Sequence, residues 1–514
     1  MTSPFAAVQR PPRGPEERRQ ARTEDVTSVR GALRDPRRLR TEVLAGLVVA
    51  LALIPEAISF SIIAGVDPRM GLFASFTMAV SIAILGGRPA MISAATGAVA
   101  LVIAPVVREH GMDHFIATVI LAGVIQVAFG VLGVAKLVRF IPRSVMVGFV
   151  NALAILIFLA QLPHLTGVPV VVYGMVAVGI ALIVLVPRLT TAVPAPLVTI
   201  VVLTVVTVAF ALHVPTVGDQ GQLPESLPSL FVPDVPLSLD TLRIIGPYAV
   251  AMALVGLMES LMTAKLVDDV TDTRSDKTRE AWGQGVANVV TGFFGGMGGC
   301  AMIGQTMINV RASGARTRIS TFLAGVFLLI LVVGLGDVVA TIPMAALVAV
   351  MVMVCVGTFD WHSIRPATLR RMPRSETLVM LATVAVTVAT HNLAYGVVTG
   401  VLVAAVMFVR RVAHLTEVVE VAHPDEHTRV YAVVGELFWA SSNDLVTQFD
   451  YAGDPENVVI DMSRSHIWDA STVAALDAIT TRYAAKGKTA TIVGLDADSA
   501  ERHGRLAGHL AGGH

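Results

Sequence analysis

Apolar runs long enough to span a lipid bilayer recur between about residue 43 and residue 410, separated by short polar loops. The first seven runs cover about residues 43–64, 68–86, 90–107, 115–135, 144–161, 169–186 and 194–212. A Pro-rich loop, 213–240, precedes a second seven at about 243–265, 281–297, 299–310, 318–336, 342–358, 376–390 and 395–410. The pattern predicts an α-helical polytopic membrane protein with fourteen transmembrane segments.

Lys and Arg residues in the loops predict how these segments are oriented. Basic side chains fall on one side of both sets, for example Arg88 and Arg143 in the first and Arg316 and Arg370 in the second. By the positive-inside rule that side is cytoplasmic. Because each set has an odd number of crossings, the second is inserted upside down relative to the first. We therefore expect a transmembrane transport domain at 41–412, a 7+7 inverted repeat with repeat one at about 41–212 and repeat two at about 241–412.

Composition narrows the possible functions. The chain is 54% hydrophobic and 15% charged, whereas soluble domains carry about 25% charged residues. The net charge of zero gives no case for a nucleic-acid partner. We find no phosphate-binding loop, no nucleophile with a base and no metal-ligand spacing. We therefore expect no enzyme activity, no cofactor and no bound metal beyond a coupling ion.

The third segment of each set is short or interrupted. Gly295, Gly296, Gly298, Gly299 and Gly304 are five glycines within ten residues, and each interior glycine costs a helix about 1 kcal/mol relative to alanine. A broken helix in lipid is tolerated where its freed backbone is buried in protein or faces a polar cavity. Taken alone, the glycines fit an anion site and close helix packing equally well.

A short internal similarity links the two interrupted segments. Ala90-Met91-Ile92 in the first recurs as Ala301-Met302-Ile303 in the second. Two helix N-termini meeting there would form a compact anion site without a fixed cation. The predicted substrate-binding residues are Glu56, Ser93, Thr96, Gly97, Ala301, Met302, Ile303, Gly304, Gln305 and Thr306.

Two carboxylates lie inside predicted spanning segments. Glu56 and Glu259 occupy the first segment of each set, and an ionisable residue within a membrane segment indicates a functional site. Thr263 lies four residues after Glu259, on the same helix face. Glu259 and Thr263, together with Glu56, could bind the coupling ion, H⁺ or Na⁺. Alternatively, the Thr263 hydroxyl bonds to its own helix.

The region after the last apolar run reads as a small soluble domain at 418–514. Val430–Phe438 and Asn457–Met462 are predicted strands, Ala470–Ala485 a helix and Thr489–Leu495 a further strand. Asp469 precedes the helix and would cap it, and Ser471 follows in its first turn. The charge pattern places this domain in the cytoplasm. Residues 1–40, rich in Arg, Pro and Glu, are expected to form a disordered cytoplasmic N-terminal tail.

These motifs resemble a known family. GLVVALALIPEAISFSIIAGVDPRMGLFASFTM (46–78), PAMISAATGA and GGMGGCAMIGQTMINVRASGARTR are similar to the membrane signature and the third and tenth segments of SulP anion permeases. VVGELFWASSNDL and NVVIDMSRSHIWDASTVAAL resemble the STAS domain that follows. The resemblance implies a seven-plus-seven core divided into a transport part and a gate scaffold, usually dimeric, that moves a small anion by an elevator mechanism.

The chain departs from the family pattern at the site. Pro55-Glu56 stands where many relatives have Pro-Gln, Gly304-Gln305 aligns with a common Ser-Arg, and Ala94-Ala95 with a common Gly-Pro. The site therefore lacks a fixed positive charge and gains a carboxylate, which favours cation-coupled symport over exchange. The serine that is phosphorylated in stand-alone STAS proteins directly follows the aspartate, whereas Ala470 follows Asp469 here. A structural, dimer-supporting or ligand-sensing STAS domain is expected.

The expected function is secondary active transport of an inorganic anion, sulfate or bicarbonate, across a bacterial-type inner (plasma) membrane. We expect a multi-pass homodimer in the lipid bilayer with both termini in the cytoplasm and no nucleic-acid partner. An electroneutral anion exchanger or dicarboxylate transporter of the same family is the alternative. A nucleobase-type carrier would lack the STAS tail, and a membrane-anchored STAS regulator would not need fourteen segments.

Overall fold

The computed structural model describes residues 27–133, 141–189, 194–224, 226–236, 238–413 and 416–509. Residues 1–26 of the predicted N-terminal tail lie outside the described residues. The prediction of disorder is wrong for 29–34 and 36–40, which are helical, each helix being preceded by a residue, Ser28 or Asp35, whose side chain caps it. The chain divides at Val401 into two compact units. They are described separately.

The first set of predicted segments forms helices with recognisable ends. After α1 (Val29–Arg34), the Asp35 side chain accepts the Arg37 amide and Pro36 begins the next helix. A glycine, Gly111, breaks the longest helix with φ 84°, and so divides it into two predicted segments. The helices are α2 (Pro36–Ala64), α3 (Pro68–Leu85), α4 (Gly97–Val131), α5 (Arg143–Gln161), α6 (Val170–Leu189) and α7 (Ala195–Ala209).

The second set begins after the long loop. A π-helical turn, Ile308–Ala312, continues the short helix of the interrupted segment. The helices are α8 (Leu239–Thr271), α9 (Lys277–Phe293), α10 (Ile303–Met307), α11 (Arg318–Gly334), α12 (Gly336–Ala340), α13 (Met344–Thr358), α14 (Pro366–Arg371), α15 (Arg374–Thr390) and α16 (Leu393–Ala413).

Helices occupy all fourteen predicted segments, in whole or in part. By length and composition, seven described helices can cross a membrane: α2, α3, α4, α5 with its 3₁₀ extension to Leu165, α6, α8 and α16. Shorter apolar helices are α7, α11 and α13. The count of fourteen crossings stays a prediction.

The predicted interruptions are confirmed. β1 (Ser93–Ala94) and β2 (Cys300–Ala301) pair antiparallel, with Ser93 opposite Ala301 and Ala94 opposite Cys300. Each strand is followed within three residues by a helix, α4 or α10. A broken strand-to-helix segment of one repeat therefore meets its counterpart in the other.

Within this unit the helices pack in two groups. One contains α2, α3, α4, α8, α9 and α11; the other contains α5, α6, α7, α13 and α15. Small residues allow close approach: a Cβ added to Gly285 of α9 would lie 2.5 Å from the Val127 amide of α4. The interrupted segments belong with the first group, since β2 and α10 contact α8, and β1 contacts α3.

The second unit contains four strands and three helices: β3 (Glu417–Asp425), β4 (Thr428–Leu437), α17 (Trp439–Leu445), β5 (Asn457–Ile467), α18 (Ala470–Ala484), β6 (Thr489–Val493) and α19 (Ala497–Leu506). The strands form one sheet in the order β3-β4-β5-β6, with β3 antiparallel to β4 and the other pairs parallel. The predicted strands and helix at β4, β5, α18 and β6 are confirmed, whereas β3, α17 and α19 were not predicted. Asp469 caps α18 as expected, accepting the Thr472 amide at 3.1 Å, and Ser471 is exposed.

Candidate functional site

The two interrupted segments direct helix N-termini toward one place. Thr96 precedes α4, and its hydroxyl accepts the Val99 amide at 3.4 Å. Met302 precedes α10 with no side-chain cap. The first amides of a helix have no partner within the helix. In the described part of the chain, the amides of Gly97, Ala98 and Gly304 have no acceptor.

These N-termini open into a cavity of about 540 Å³. One wall comes from α2, α4, α8, α10 and the turn before α10, and it carries nearly all the polar groups. Its lining residues include Glu56, Thr96, Gly97, Glu259, Met302, Ile303, Gly304 and Gln305. The structure thus brings together eight of the residues singled out from the sequence.

The opposite wall belongs to the second helix group and is almost wholly apolar. Phe149, Leu153 and Ile157 of α5 face the cavity with Val350 and Met353 of α13. Thr358, at the end of α13, adds one hydroxyl. Neither Lys nor Arg is among the described lining residues. The polar groups that face the cavity therefore belong almost entirely to one helix group, and the other group contributes an apolar surface.

The two carboxylates have different partners. The Gln305 side-chain amide donates to Glu56 at 2.5 Å. Glu259 accepts from the Cys300 thiol at 3.0 Å, and the Thr96 hydroxyl lies 3.1 Å from the same sulfur. Each of the two glutamates is buried, with 8% of its surface exposed. Burial makes an ionised carboxylate costly without a compensating charge.

Three predicted binding residues and the predicted partner of Glu259 lie outside the cavity lining. Ser93 accepts from Gln284 at 2.7 Å, Thr306 binds the Ile92 amide at 3.0 Å, and the Ala301 amide donates to Ser260 at 3.1 Å. These residues stabilise the place where the two interrupted segments meet, around β1 and β2. The Thr263 hydroxyl donates to the Glu259 backbone carbonyl at 2.8 Å, the alternative that the sequence left open.

The five clustered glycines divide between the two roles considered from the sequence, an anion site and close packing of the chain. Gly295 and Gly298 have φ of 67° and 74°, which form the turns after α9. A Cβ at Gly296 would lie 3.0 Å from Ala74, and one at Gly299 would overlap the Ala94 carbonyl. Gly304 alone of the five lines the cavity, and a Cβ there would meet nothing within 4 Å. Four glycines therefore serve turns and packing, and one faces the candidate site.

Sequence reasoning missed the buried polar groups behind the site. Gln284 and Asn288 on α9 bind β1 and the residue before β2, and Cys300 binds Glu259. The signal was present as Glu280, Gln284 and Asn288, spaced four residues apart. Among described residues, no cluster of three or more His, Cys, Asp or Glu is arranged to hold a metal ion.

Comparison with known proteins identifies the family of both units. The Sulfate permease family matches residues 39–183 and 171–383, and the STAS domain matches residues 419–508. A Bacillus subtilis (strain 168) protein named "Putative sulfate transporter YbaR" is 53% identical over 458 residues, covering 89% of this chain and 95% of that protein.

Solved structures agree with this assignment. The transmembrane domain of a cyanobacterial bicarbonate transporter, BicA, is 26% identical with a TM-score of 0.63, covering 70% of this chain and 98% of that one. The structure of SLC26A9 is 15% identical with a TM-score of 0.76, covering 98% and 94%, which is a likeness of fold. The fold class predicted from the sequence is confirmed, and the named relatives are transporters, not enzymes. The chain belongs to the Sulfate permease family and carries a C-terminal STAS domain.

Proposed function

We propose that this protein is a secondary active transporter of an inorganic anion, sulfate or bicarbonate, driven by symport of H⁺ or Na⁺. Its relatives are named for these two anions. The observation that carries the proposal is the cavity where two half-helix N-termini meet two buried carboxylates, Glu56 and Glu259. Such N-termini bind anions through backbone amides and the helix dipole.

The anion would be held by backbone amides and small polar groups. The unpartnered amides of Gly97, Ala98 and Gly304 and the Gln305 side chain surround the cavity. A backbone-lined site binds the charge of an anion without a side chain that reads its identity. This fits a substrate that is small, inorganic and fully surrounded.

Electrostatic repulsion would couple binding of the anion to binding of a cation. An ionised carboxylate about 6 Å from a bound monoanion opposes it by about 3 kcal/mol at an effective dielectric of 20. Since the described lining has no basic side chain to offset this repulsion, a cation at Glu56 or Glu259 would favour anion binding. Protonation needs only the carboxyl. A Na⁺ at Glu259 would need more oxygen ligands, and Thr263, whose hydroxyl donates to the Glu259 carbonyl, is not among the residues that line the cavity.

The two helix groups support an elevator-type motion. The group that contains α2, α4 and α8 would carry the anion, while the apolar wall of α5 and α13 would act as the fixed gate. An apolar wall binds neither anion nor cation, so the polar group can slide past it with its cargo. We propose that this occurs in a homodimer in the inner membrane, with both termini cytoplasmic.

Uptake into proteoliposomes tests the proposal. Purified full-length protein should accumulate labelled sulfate or bicarbonate, and an inward H⁺ or Na⁺ gradient should accelerate that uptake. Crossing both anions with both gradients names the substrate and the coupling ion. Uptake that needs a trans anion and ignores both gradients would instead identify an exchanger. Absence of uptake of either anion would contradict the proposal.

A further inference from the structure

The α9 helix carries three buried polar side chains on one face. Glu280, Gln284 and Asn288 are spaced four residues apart and each is 0% exposed. None of them lines the cavity. Buried polar groups in a membrane protein are costly unless they are hydrogen-bonded, so their partners indicate their role.

The first two residues connect α9 to β1. The Glu280 carboxylate accepts the backbone amides of Gly87 and Arg88, at 2.7 and 2.9 Å, in the loop that leads into β1. The Gln284 side-chain amide donates to Glu280 at 2.8 Å and to the Ser93 hydroxyl at 2.7 Å. The start of the first interrupted segment is therefore fixed to α9 at two points.

The third residue connects α9 to the second interrupted segment. The Asn288 side chain donates to the Gly299 carbonyl at 3.0 Å and accepts the Gly299 amide at 2.8 Å, as a neighbouring strand would. It also donates to Gln126 of α4 at 2.9 Å. Gly299 directly precedes β2, so α9 holds this segment at the residue where its extended part begins.

We infer that α9 is a positioning element that sets the separation of the two half-helix N-termini and thereby determines anion affinity and selectivity. The inference rests on the proposed anion transport. Ser93 and Gly299 each lie three residues before the helix-capping position, Thr96 or Met302. β1, which begins at Ser93, and β2, which follows Gly299, have two residues each. A pairing of two such short strands has little stability of its own. Its geometry depends on the groups behind it.

Selectivity between anions follows because amide hydrogen bonds to oxygen need distances of about 2.7–3.2 Å and weaken steeply when their angle falls below about 120°. Sulfate and bicarbonate differ in size, so a change in the separation of the N-termini affects the two anions unequally. Among the described residues, the hydrogen bonds of the Gln284 and Asn288 side chains go to Ser93, Glu280, Gln126 and Gly299, and none goes to the apolar wall of α5 and α13. Loosening the ladder should therefore change KM and the preference between anions more than kcat.

The test compares Gln284→Met and Asn288→Ala with Thr291→Val in proteoliposomes. Thr291 is a matched control because it is also 0% exposed on α9, but its hydroxyl lies 2.7 Å from Thr77 of α3. We expect the first two variants to raise KM for the preferred anion at least fivefold, to alter the sulfate-to-bicarbonate KM ratio, and to keep kcat within twofold. Thr291→Val should leave KM and the ratio within twofold of wild type.

Two further measurements keep the inference falsifiable. Ser93→Ala removes one of the two acceptors of Gln284, the other being Glu280, so the Gln284→Met/Ser93→Ala double variant should have the KM of the stronger single variant. Amide exchange of the full chain in nanodiscs should be at least fivefold faster around 92–97 in Gln284→Met and unchanged there in Thr291→Val. If the wild-type protein showed no uptake, the proposed function would be contradicted. The amide hydrogen-exchange result would still show whether α9 positions the first interrupted segment. Equal exchange in both variants, or additive KM effects, would overturn the inference.

Discussion

The side-chain amide of Gln305 donates to the Glu56 carboxylate at 2.5 Å, which joins the half-helix of the second repeat to the first long helix of the other repeat. The two side chains are 3% and 8% exposed. A neutral amide can bond to a carboxyl in either protonation state, but it cannot cancel a negative charge. The pair therefore holds Glu56 at the cavity without neutralising it, and in the proposed mechanism a mobile cation balances its charge.

Replacing that amide with a fixed cation should weaken coupling. In Gln305→Arg, the guanidinium would pair with Glu56 and offset its charge without H⁺ or Na⁺. We expect the gradient-driven acceleration of uptake to fall at least fivefold, measured in proteoliposomes with and without the gradient. Gln305→Met, which removes the hydrogen bond and adds no charge, should keep the acceleration with a higher KM. Full acceleration in Gln305→Arg would show that Glu56 does not require a mobile cation.

The thiol of Cys300 should matter through its contact with Glu259. A hydrogen bond contributes about 0.5–1.5 kcal/mol on net, and the thiol, a weak donor, supplies one to Glu259 at 3.0 Å. Cys300→Ala should therefore lower gradient-driven uptake by about fivefold. Cys300→Ser retains a hydrogen-bond donor, because a hydroxyl replaces the thiol at a similar position. Its gradient-driven uptake should therefore stay within about threefold of wild type. Equal activity in the two variants would rule out a role for this donor.

Two glycines of the interrupted segment should tolerate a methyl group differently. A Cβ at Gly304 enters open space, whereas one at Gly299 overlaps the Ala94 carbonyl. Gly304→Ala should therefore fold with an unchanged thermal midpoint, and Gly299→Ala should be destabilised by about 1–3 kcal/mol or more, as in overpacked cores. Size-exclusion profiles of heated detergent-solubilised protein measure both. A lower midpoint for Gly304→Ala alone would contradict the placement of Gly304 at the cavity.

The sequence predicted the site best where a physical penalty stood out. Glycines in an apolar segment and carboxylates in lipid are both costly, and Glu56 and one of the five clustered glycines, Gly304, line the cavity. The two-residue pairing of β1 with β2 could not be predicted, because Ser93–Ala94 is too short to show a period of two.

The supporting groups were harder to find for a different reason. The predicted segment 281–297 was delimited by its apolar residues, so it contained Gln284 and Asn288 but left out Glu280, which lies on the same helix. The i, i+4, i+8 spacing indicates one face of a helix, but it does not say which segments that face contacts. Thr263 shows the opposite case, since its spacing from Glu259 fits either a shared ion or the backbone contact that the structure contains.

The soluble unit offers a pH test that does not depend on transport. Tyr483 is fully buried and its hydroxyl donates to the Asp454 carboxylate at 2.5 Å. Burial, and then the bond to this carboxylate, raises the pKa of Tyr483 above its ordinary value. Folding thus favours the protonated phenol, and the resulting stability is present below the unfolded pKa of about 10 and is lost as pH rises above it.

A fragment of residues 416–514, which contains this unit's own core, should show the effect in urea unfolding followed by circular dichroism. We expect its free energy of unfolding to be steady between about pH 7 and 9 and to fall above about pH 10. In Tyr483→Phe the free energy of unfolding should fall less steeply with pH. The difference in slope should be about 1.4 kcal/mol per pH unit, which corresponds to one proton. Tyr431 also donates to Asp454, at 2.8 Å, and burial raises its pKa, so part of the slope should persist. An identical slope in wild type and Tyr483→Phe would mean that Tyr483 ionises in the folded unit as readily as in the unfolded chain.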